Sequence, residues 1–489
     1  MSFERALKRP AIICALLLAL CTLATYPFVE MGQCDDFAYV RSAKTLAETG
    51  HITYYGWASA MLGWQLALGA LFIKLFGFSF TAPYVSVLLV GLATAFFLQR
   101  AFVLLGLNES NAAFATLTLV LSPLFIALSF SFMSDMPGFF AIVLCLYLCL
   151  RAIHAPLPAQ ASAWLIAAAI SNAILGTARQ TGWLGLIVIV PSACWLLRHR
   201  RLPFALLASI WLLCLGFVFI ALHWFGRQMY STVETVNGVQ FDRDNAFNAT
   251  VLSFCVILEV AFFLFPILIA FIVPFARQNK RLTYLWLAGA IAFFACFLLR
   301  PHSYWVGVFL APALTNAGNY VTSRGIVDLP DIGLRPVLIQ PWARATLSVV
   351  CYFAAFAFLV VLLRRNRRPP VATVPVPTLK EERSVLSWRQ IFILLGPFAL
   401  AYCTFIFFRV LTGSVFDRYL LPLFMFLGVV AVRFYQDRIN PKLPRTCYAV
   451  LLVFAVWAVA ATHDTFAEDR ARLAAIEQFR AAGLPRTAF

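Results

Sequence analysis

The chain has 489 residues, of which 62% are hydrophobic and 12% charged, with a formal net charge of +17. A soluble domain cannot bury so much apolar surface, and apolar runs near 20 residues recur along the whole chain, the length that crosses a bilayer as a helix. The basic residues lie in short loops between those runs and not in one domain, so they read as topology determinants and not as a nucleic-acid surface.

The expected fold is therefore an all-α polytopic membrane protein. The first apolar run, from about Pro10 to Phe28, follows the basic stretch "ERALKRP". No small-residue cleavage site follows it, so it reads as a retained first span. Next comes a loop, residues 30–82, that opens on the acidic pair Asp35 and Asp36. The stretch "DFAYVRSAKTLAETG" has helical potential and ends at Gly50, a residue suited to a left-handed cap. The segment Trp57–Phe78 is apolar but weak as a span. It carries Gln65 and Lys74 and is broken by Gly63, Gly69 and Gly77, which suits a helix lying in the membrane interface.

Further apolar runs begin near Pro83, Asn111, Met136, Ser162 and Gly182, and the later ones cover roughly Leu202–Trp224, Ala249–Phe275, Leu282–Leu299 and Ala345–Leu363. Two more lie between Arg389 and Arg433, split near "LTGSVFDR". The basic loops are "RHRR" at Arg198–Arg201, "ARQNKR" ending at Arg281, "RRNRRPP" from Arg364 and "RFYQDRINPKLPR" from Arg433. Even numbers of runs separate them, so they share one side, and the positive-inside rule makes that side cytoplasmic. Parity with the basic N-terminus holds only if one early run does not cross, and Trp57–Phe78 is the weakest. The expectation is thirteen spans, with the C-terminal tail outside. Residues 1–224 form a first membrane module, and 225–463 a second with outer loops 225–247 and 300–344 and a cytoplasmic linker 364–388. Residues 464–489 form an outer tail. Asp35, Asp36, Asp135 in "SFMSDMPGF", Arg179 in "GTARQTGW" and the turn "LTGSVFDRYLLP" then all face outward.

Each polar residue has two readings at this stage. Asp35 and Asp36 either cap a helix or supply a carboxylate that takes a proton from an attacking hydroxyl. Arg41 and Lys44, one turn apart, are either a basic face at the membrane surface or partners for an anionic head group. Asp135, ahead of Pro137, is either an ordinary helix start or a second acidic site. Arg179 snorkels or pairs with an anion, and Arg418 pairs locally with Asp417 or reaches further. Of the twelve cysteines nearly all lie inside apolar runs, for example Cys14, Cys145 and Cys214, and Cys34 alone sits clearly in a loop. With no CxxC or Cys/His spacing, neither a disulfide framework nor a metal cluster is expected.

At these residues a family resemblance emerges. The pattern "CDDFAY…TLAETGHITYYGW" after the first span resembles the acidic pair and following helix of the GT-C glycosyltransferases. The nearest likeness is to the dolichyl-phosphate-mannose–protein mannosyltransferases and aminoarabinose transferases, glycosyltransferase family 39-like enzymes. "LGWQLALGALFIKLFGFSFTAPYVSVLLVGLATAFFL", "LVLSPLFIALSFSFMSDMPGFF", "ARQTGWLGLIVIVP" and "FDRYLLPLF" are similar to later segments of that family. The likeness covers about Pro10 to Pro191 and afterwards the layout of spans. The family usually has Asp-Glu where this chain has Asp-Asp.

The resemblance implies a polyprenyl-phosphate sugar donor, an acceptor hydroxyl on a glycan, lipid or protein, and reaction at the outer face of the cell (inner) membrane. Asp35 would be general base, with Asp36 and Asp135 the other acidic residues of the site. Arg41, Lys44, Arg179 and Arg418 would be candidates for the donor phosphate. No cofactor is indicated, although a divalent metal is compatible with the family, whose members differ in metal dependence. The rival classes are a transporter or lipid flippase and an O-antigen-ligase-like transferase. A transporter places ionisable residues near the midplane, where this chain offers Glu259 and Arg409. An O-antigen-ligase-like enzyme relies on a late outer loop and not on an early acidic pair.

Overall fold

The computed structural model describes residues 3–232, 243–300, 307, 309–312, 320–327, 335–365, 385–413 and 415–483. Among them the fold is helical, with one two-residue hairpin, Val321–Thr322 against Gly325–Ile326. Eight helices carry the first part of the chain: α1 (Phe3–Ala24), α2 (Asp36–Thr49), α3 (Gly63–Phe76), α4 (Thr81–Leu104), α5 (Glu109–Val120), α6 (Pro123–Ser129), α7 (Asp135–Ile153) and α8 (Pro158–Leu175). Later helices are identified by their residues.

Ten helices among the described residues are long and apolar enough to cross a bilayer, and α5 with α6 makes an eleventh if that bent pair is one span. Four further apolar helices, Arg9–Ala24, Gly63–Phe76, Gln180–Leu196 and Phe265–Gln278, are shorter than that, so by length and composition the described residues give ten or eleven spans against the thirteen expected. The 70° bend between α5 and α6 was not expected from the sequence. Its cause is local: Pro123 opens α6, and the Ser122 hydroxyl accepts from Phe125 N–H at 3.3 Å, an N-cap that starts a new helix.

The loop after α1 folds much as its residues suggest. Gly50 adopts φ +75° and closes α2 with its N–H donating to Leu46 C=O. Helix α3 has 14 residues, about 21 Å of rise, short of a hydrocarbon core of roughly 30 Å. Gly63 and Gly77 bound this helix as expected, but Gly69 does not break it. A Cβ at Gly69 would run into the Phe132 ring, so glycine there permits close approach of α3 to the segment before α7.

Side-chain ties between loops divide the bundle into two ends. At one end Arg200 donates to the Ile153 and Ala155 carbonyls, Arg433 to Leu105 C=O at 2.6 Å, and Trp388 to Asp437. Arg364 meets Asn279, and Asn108 donates to Pro441 C=O. Described residues of each of the four basic loops take part in these ties. At the other end lie α2, α3 and the start of α7. The segment Phe225–Thr232 joins them, with Ala58 and Thr232 N–H groups donating to Tyr230 and Ala58 carbonyls. Residues 366–384 of the expected linker 364–388, 21 of the 45 residues of the loop 300–344, and residues 233–242 of the loop 225–247 lie outside the described residues.

Helix Arg445–Ala481 runs for 37 residues, about 55 Å. The last span and most of the expected tail are thus one helix, and its extension packs against the first loop. Arg470 donates to Tyr26 C=O at 2.5 Å, and Asp469 accepts from the Gln33 amide at 3.3 Å.

Candidate active site

Four loops deliver the polar residues to one point. Asp35 sits at the start of α2 with φ −68° and ψ −16°, and among the described residues its carboxylate makes no capping bond. It lies 4.0 Å from Arg418 Nη2. Asp135, in the first turn of α7, pairs with Arg179 Nη1 at 2.9 Å and with Arg418 Nε at 3.6 Å. Both carboxylates therefore touch one guanidinium, far closer than two helix diameters. The Asp135 side chain is 2% exposed and that of Arg418 7%, whereas Asp35 is 27% exposed. Asp35 is the most exposed member of the group, with Arg179 next at 17%.

Burial raises the Asp35 carboxyl above its ordinary range. Arg418 opposes that rise, and nearby Asp135 adds to it. A carboxylate so placed is a better proton acceptor than a free aspartate.

Arg179 is held by backbone and packing. It is an extended residue, φ −149° and ψ 128°, between two short helical turns, Gly176–Ala178 and Gln180–Trp183. Its side chain crosses α7 at Gly138, where a Cβ would sit 2.8 Å from Arg179 Cβ. The guanidinium donates to Ser134 Oγ at 3.1 Å and lies 4.6 Å from the Tyr419 ring centre. Arg418 is aimed by its neighbour. The Asp417 carboxylate accepts from Tyr320, Val321 and Arg418 N–H groups at 3.2, 2.7 and 2.7 Å, fastening the 320–327 hairpin to the turn. Arg418 then reaches across to Asp35 and Asp135, beyond the local pairing that adjacency to Asp417 suggests.

Asp36 has a different role from its neighbour. It is fully buried and accepts from Gln33 N–H at 2.5 Å and from Phe132 N–H at 3.1 Å. Burial pushes its carboxyl up to about 8, against these two donors. It stitches the first loop to the segment that precedes Asp135. Asp36→Asn presents an amide N–H₂ to one of the two N–H donors, so a fall in stability of about 1–3 kcal/mol is expected. Thermal unfolding in detergent reads it, and an unchanged midpoint would remove the stitch from the account.

Arg41 and Lys44 are not in the group around Arg418. Arg41 is exposed, donates to Tyr55 Oη at 3.0 Å and stacks on that ring. Lys44 pairs with Glu48 at 3.7 Å and lies over Phe78. Arg409, read from sequence as a mid-span residue, occupies the last turn of helix Trp388–Leu411, with its guanidinium 5.3 Å from the Tyr419 ring centre. It belongs to the end that holds the acidic group. Glu259 is buried within helix Arg243–Phe263. Cys34 is held as a thiol, pushed up to about 12 by burial. Among the described residues no three His, Cys, Asp or Glu side chains are grouped to hold a metal ion.

The space beside Asp135, bounded also by Arg179, Tyr402, Arg418 and Tyr419, is a cavity of about 10 Å³, room for roughly one water.

No family model matches the sequence, and no curated protein matches it. Among solved structures the chain is similar to ArnT from Cupriavidus metallidurans in the apo state, with 14% identity over 87% of this chain and 77% of that one, at a TM-score of 0.36. ArnT bound to undecaprenyl phosphate gives the same identity and coverage and a TM-score of 0.37. The archaeal oligosaccharyltransferase AglB from Archaeoglobus fulgidus, in complex with an inhibitory peptide and a dolichol-phosphate, gives 15% identity over 93% of this chain and 55% of that one, at 0.40.

Proposed function

We propose that this chain is a GT-C-type membrane glycosyltransferase that moves a sugar from a polyprenyl-phosphate donor to an acceptor hydroxyl on the extracytoplasmic side of the cell membrane. The observation that carries the reading is the reach of one buried guanidinium, Arg418, to two carboxylates. Asp35 is accessible and free of capping duty, and Asp135 is buried against the half-buried Arg179.

In this mechanism Asp35 takes the proton of the acceptor hydroxyl as its oxygen attacks the anomeric carbon. The bond from that carbon to the phosphate oxygen breaks, and the phosphate leaves with the electron pair. A single displacement inverts the anomeric centre. Phosphate is a weak base, so the step needs positive charge at the leaving oxygen more than a strong acid. Arg418 and Arg179 supply it, while Asp135 fixes both guanidinium groups in place. Arg41 and Lys44, on the exposed side of α2, are placed to meet the head group as it arrives from the membrane. The outward orientation rests on the basic loops gathered at the opposite end. In this reading residues 1–224 carry the acidic pair and Asp135, and 225–463 contribute Arg418.

The test is a comparison of envelope glycans and lipids from cells with and without the gene. Loss of one glycosyl mass from a single class is expected, and identical spectra would remove the assignment. The purified protein should also lose rate as pH falls through a value above the ordinary aspartate range, because Asp35 accepts a proton only when ionised and its carboxyl is raised. A rate that holds down to about pH 4, the ordinary value, would rule Asp35 out as the base.

A further inference from the structure

A second feature lies at the far end of the bundle from Asp35. Helix α8, the segment Val190–Leu196 and the helix Phe204–Phe225 enclose an apolar groove of about 490 Å³, lined by Leu165, Val190, Trp195, Leu207 and Trp211 among others. The volume is that of a ligand-sized pocket. Its one charged lining residue is Arg198, whose guanidinium donates to Trp195 C=O at 2.8 Å and lies 4.5 Å from the centre of that indole. His199 and Arg201 beside it are exposed. Arg200, next in line, donates to the carbonyl oxygens that end α7, which fixes the groove mouth at the end opposite Asp135.

Charge singles this groove out. The sequence holds no Asp or Glu between Asp135 and Glu234, so no carboxylate of that stretch neutralises the "RHRR" run. A comparable apolar groove of about 430 Å³, between helices Lys280–Leu299 and Pro341–Arg365, has no charged residue in its lining. Both face lipid by composition, and Lys280 and Arg281 open one helix of the second, but of these two grooves the first alone has a cation, Arg198, in its lining.

We propose that this groove binds an anionic phospholipid of the bilayer, with one acyl chain between Trp195 and Trp211 and the phosphodiester on Arg198 and Arg201. The site is separate from the donor site and does not depend on the glycosyltransferase assignment. Basic residues at a membrane surface each favour anionic lipid by a factor of roughly five, so two give a preference on the order of tenfold or more.

The purified full chain is mixed with phosphatidylglycerol or phosphatidylcholine of matched acyl chains, and retained lipids are counted by native mass spectrometry. Retention of phosphatidylglycerol about tenfold over phosphatidylcholine is expected. The double variant Arg198→Gln, Arg201→Gln should lose that preference. Ala208→Trp, which fills the groove from an exposed position, should lower retention of both lipids. Equal retention of the two lipids by the unaltered chain, or an undiminished preference in the double variant, overturns the proposal. The unaltered chain gives a second reading should a variant not fold. Bromine on the acyl chain should quench tryptophan emission more strongly from phosphatidylglycerol than from phosphatidylcholine, and equal quenching counts against the site.

Discussion

Asp35→Asn should give a protein that folds, inserts and purifies like the parent but transfers sugar about 10²-fold more slowly or worse. The substitution keeps the size of the side chain and removes the proton acceptor. A capping role would predict little change, since Asn caps as well as Asp, and the Asp35 carboxylate makes no capping bond to α2 in any case. Its polar contact with Arg418, at 4.0 Å, is long and partly solvated, so its loss costs little stability. The variant therefore separates chemistry from folding. Transfer at the parental rate would sink the mechanism while leaving the helical architecture intact.

The second large effect is expected at Arg418. Arg418→Ala leaves Asp135 buried with Arg179 as its remaining partner in the group, and breaking a buried pair in this way costs about 3–5 kcal/mol. A depressed thermal midpoint in detergent, with transfer abolished, is the expected outcome. Arg418→Lys is more telling. An ammonium restores the charge, so most of the stability should return. A single point charge cannot reach two carboxylates as a planar fork does, and transfer should stay at least tenfold below the parent. Full recovery of transfer in Arg418→Lys would mean that charge alone suffices at this position, and the bridging role assigned here would fall.

Much of this arrangement is legible in the sequence because its signals are local. Apolar run length predicts the helices, basic loops predict their two-ended order, and Gly50 predicts the end of α2. Asp35, Asp135, Arg179 and Arg418 each stand out as charges in short polar breaks between apolar runs. What the sequence does not reveal are pairings set by tertiary approach. Asp36 looks equivalent to Asp35, and only the nearness of Phe132 N–H separates a stitch from an accessible carboxylate. Asp417 looks like a partner for Arg418, yet its oxygens are taken up by backbone donors of a hairpin nearly a hundred residues away. Arg41 and Lys44 look by charge and spacing like further members of the Arg418 group, and only the structure shows them on the rings of Tyr55 and Phe78 instead. The bend after α5 is signalled by Pro123, which a hydropathy window averages away.

The contact between Gln33 and Asp469 spans 436 positions of the chain. Gln33 also gives its backbone N–H to Asp36, so the loop bearing the acidic pair is braced by a helix that leaves the ribosome long after it. During synthesis that loop is laid down early and waits, with its neighbours along the sequence already in the bilayer, until helix Arg445–Ala481 arrives to clasp it. A chain cut short before that helix would retain Asp35, Asp135, Arg179 and Arg418 and still lack the strut that holds the first of them in register.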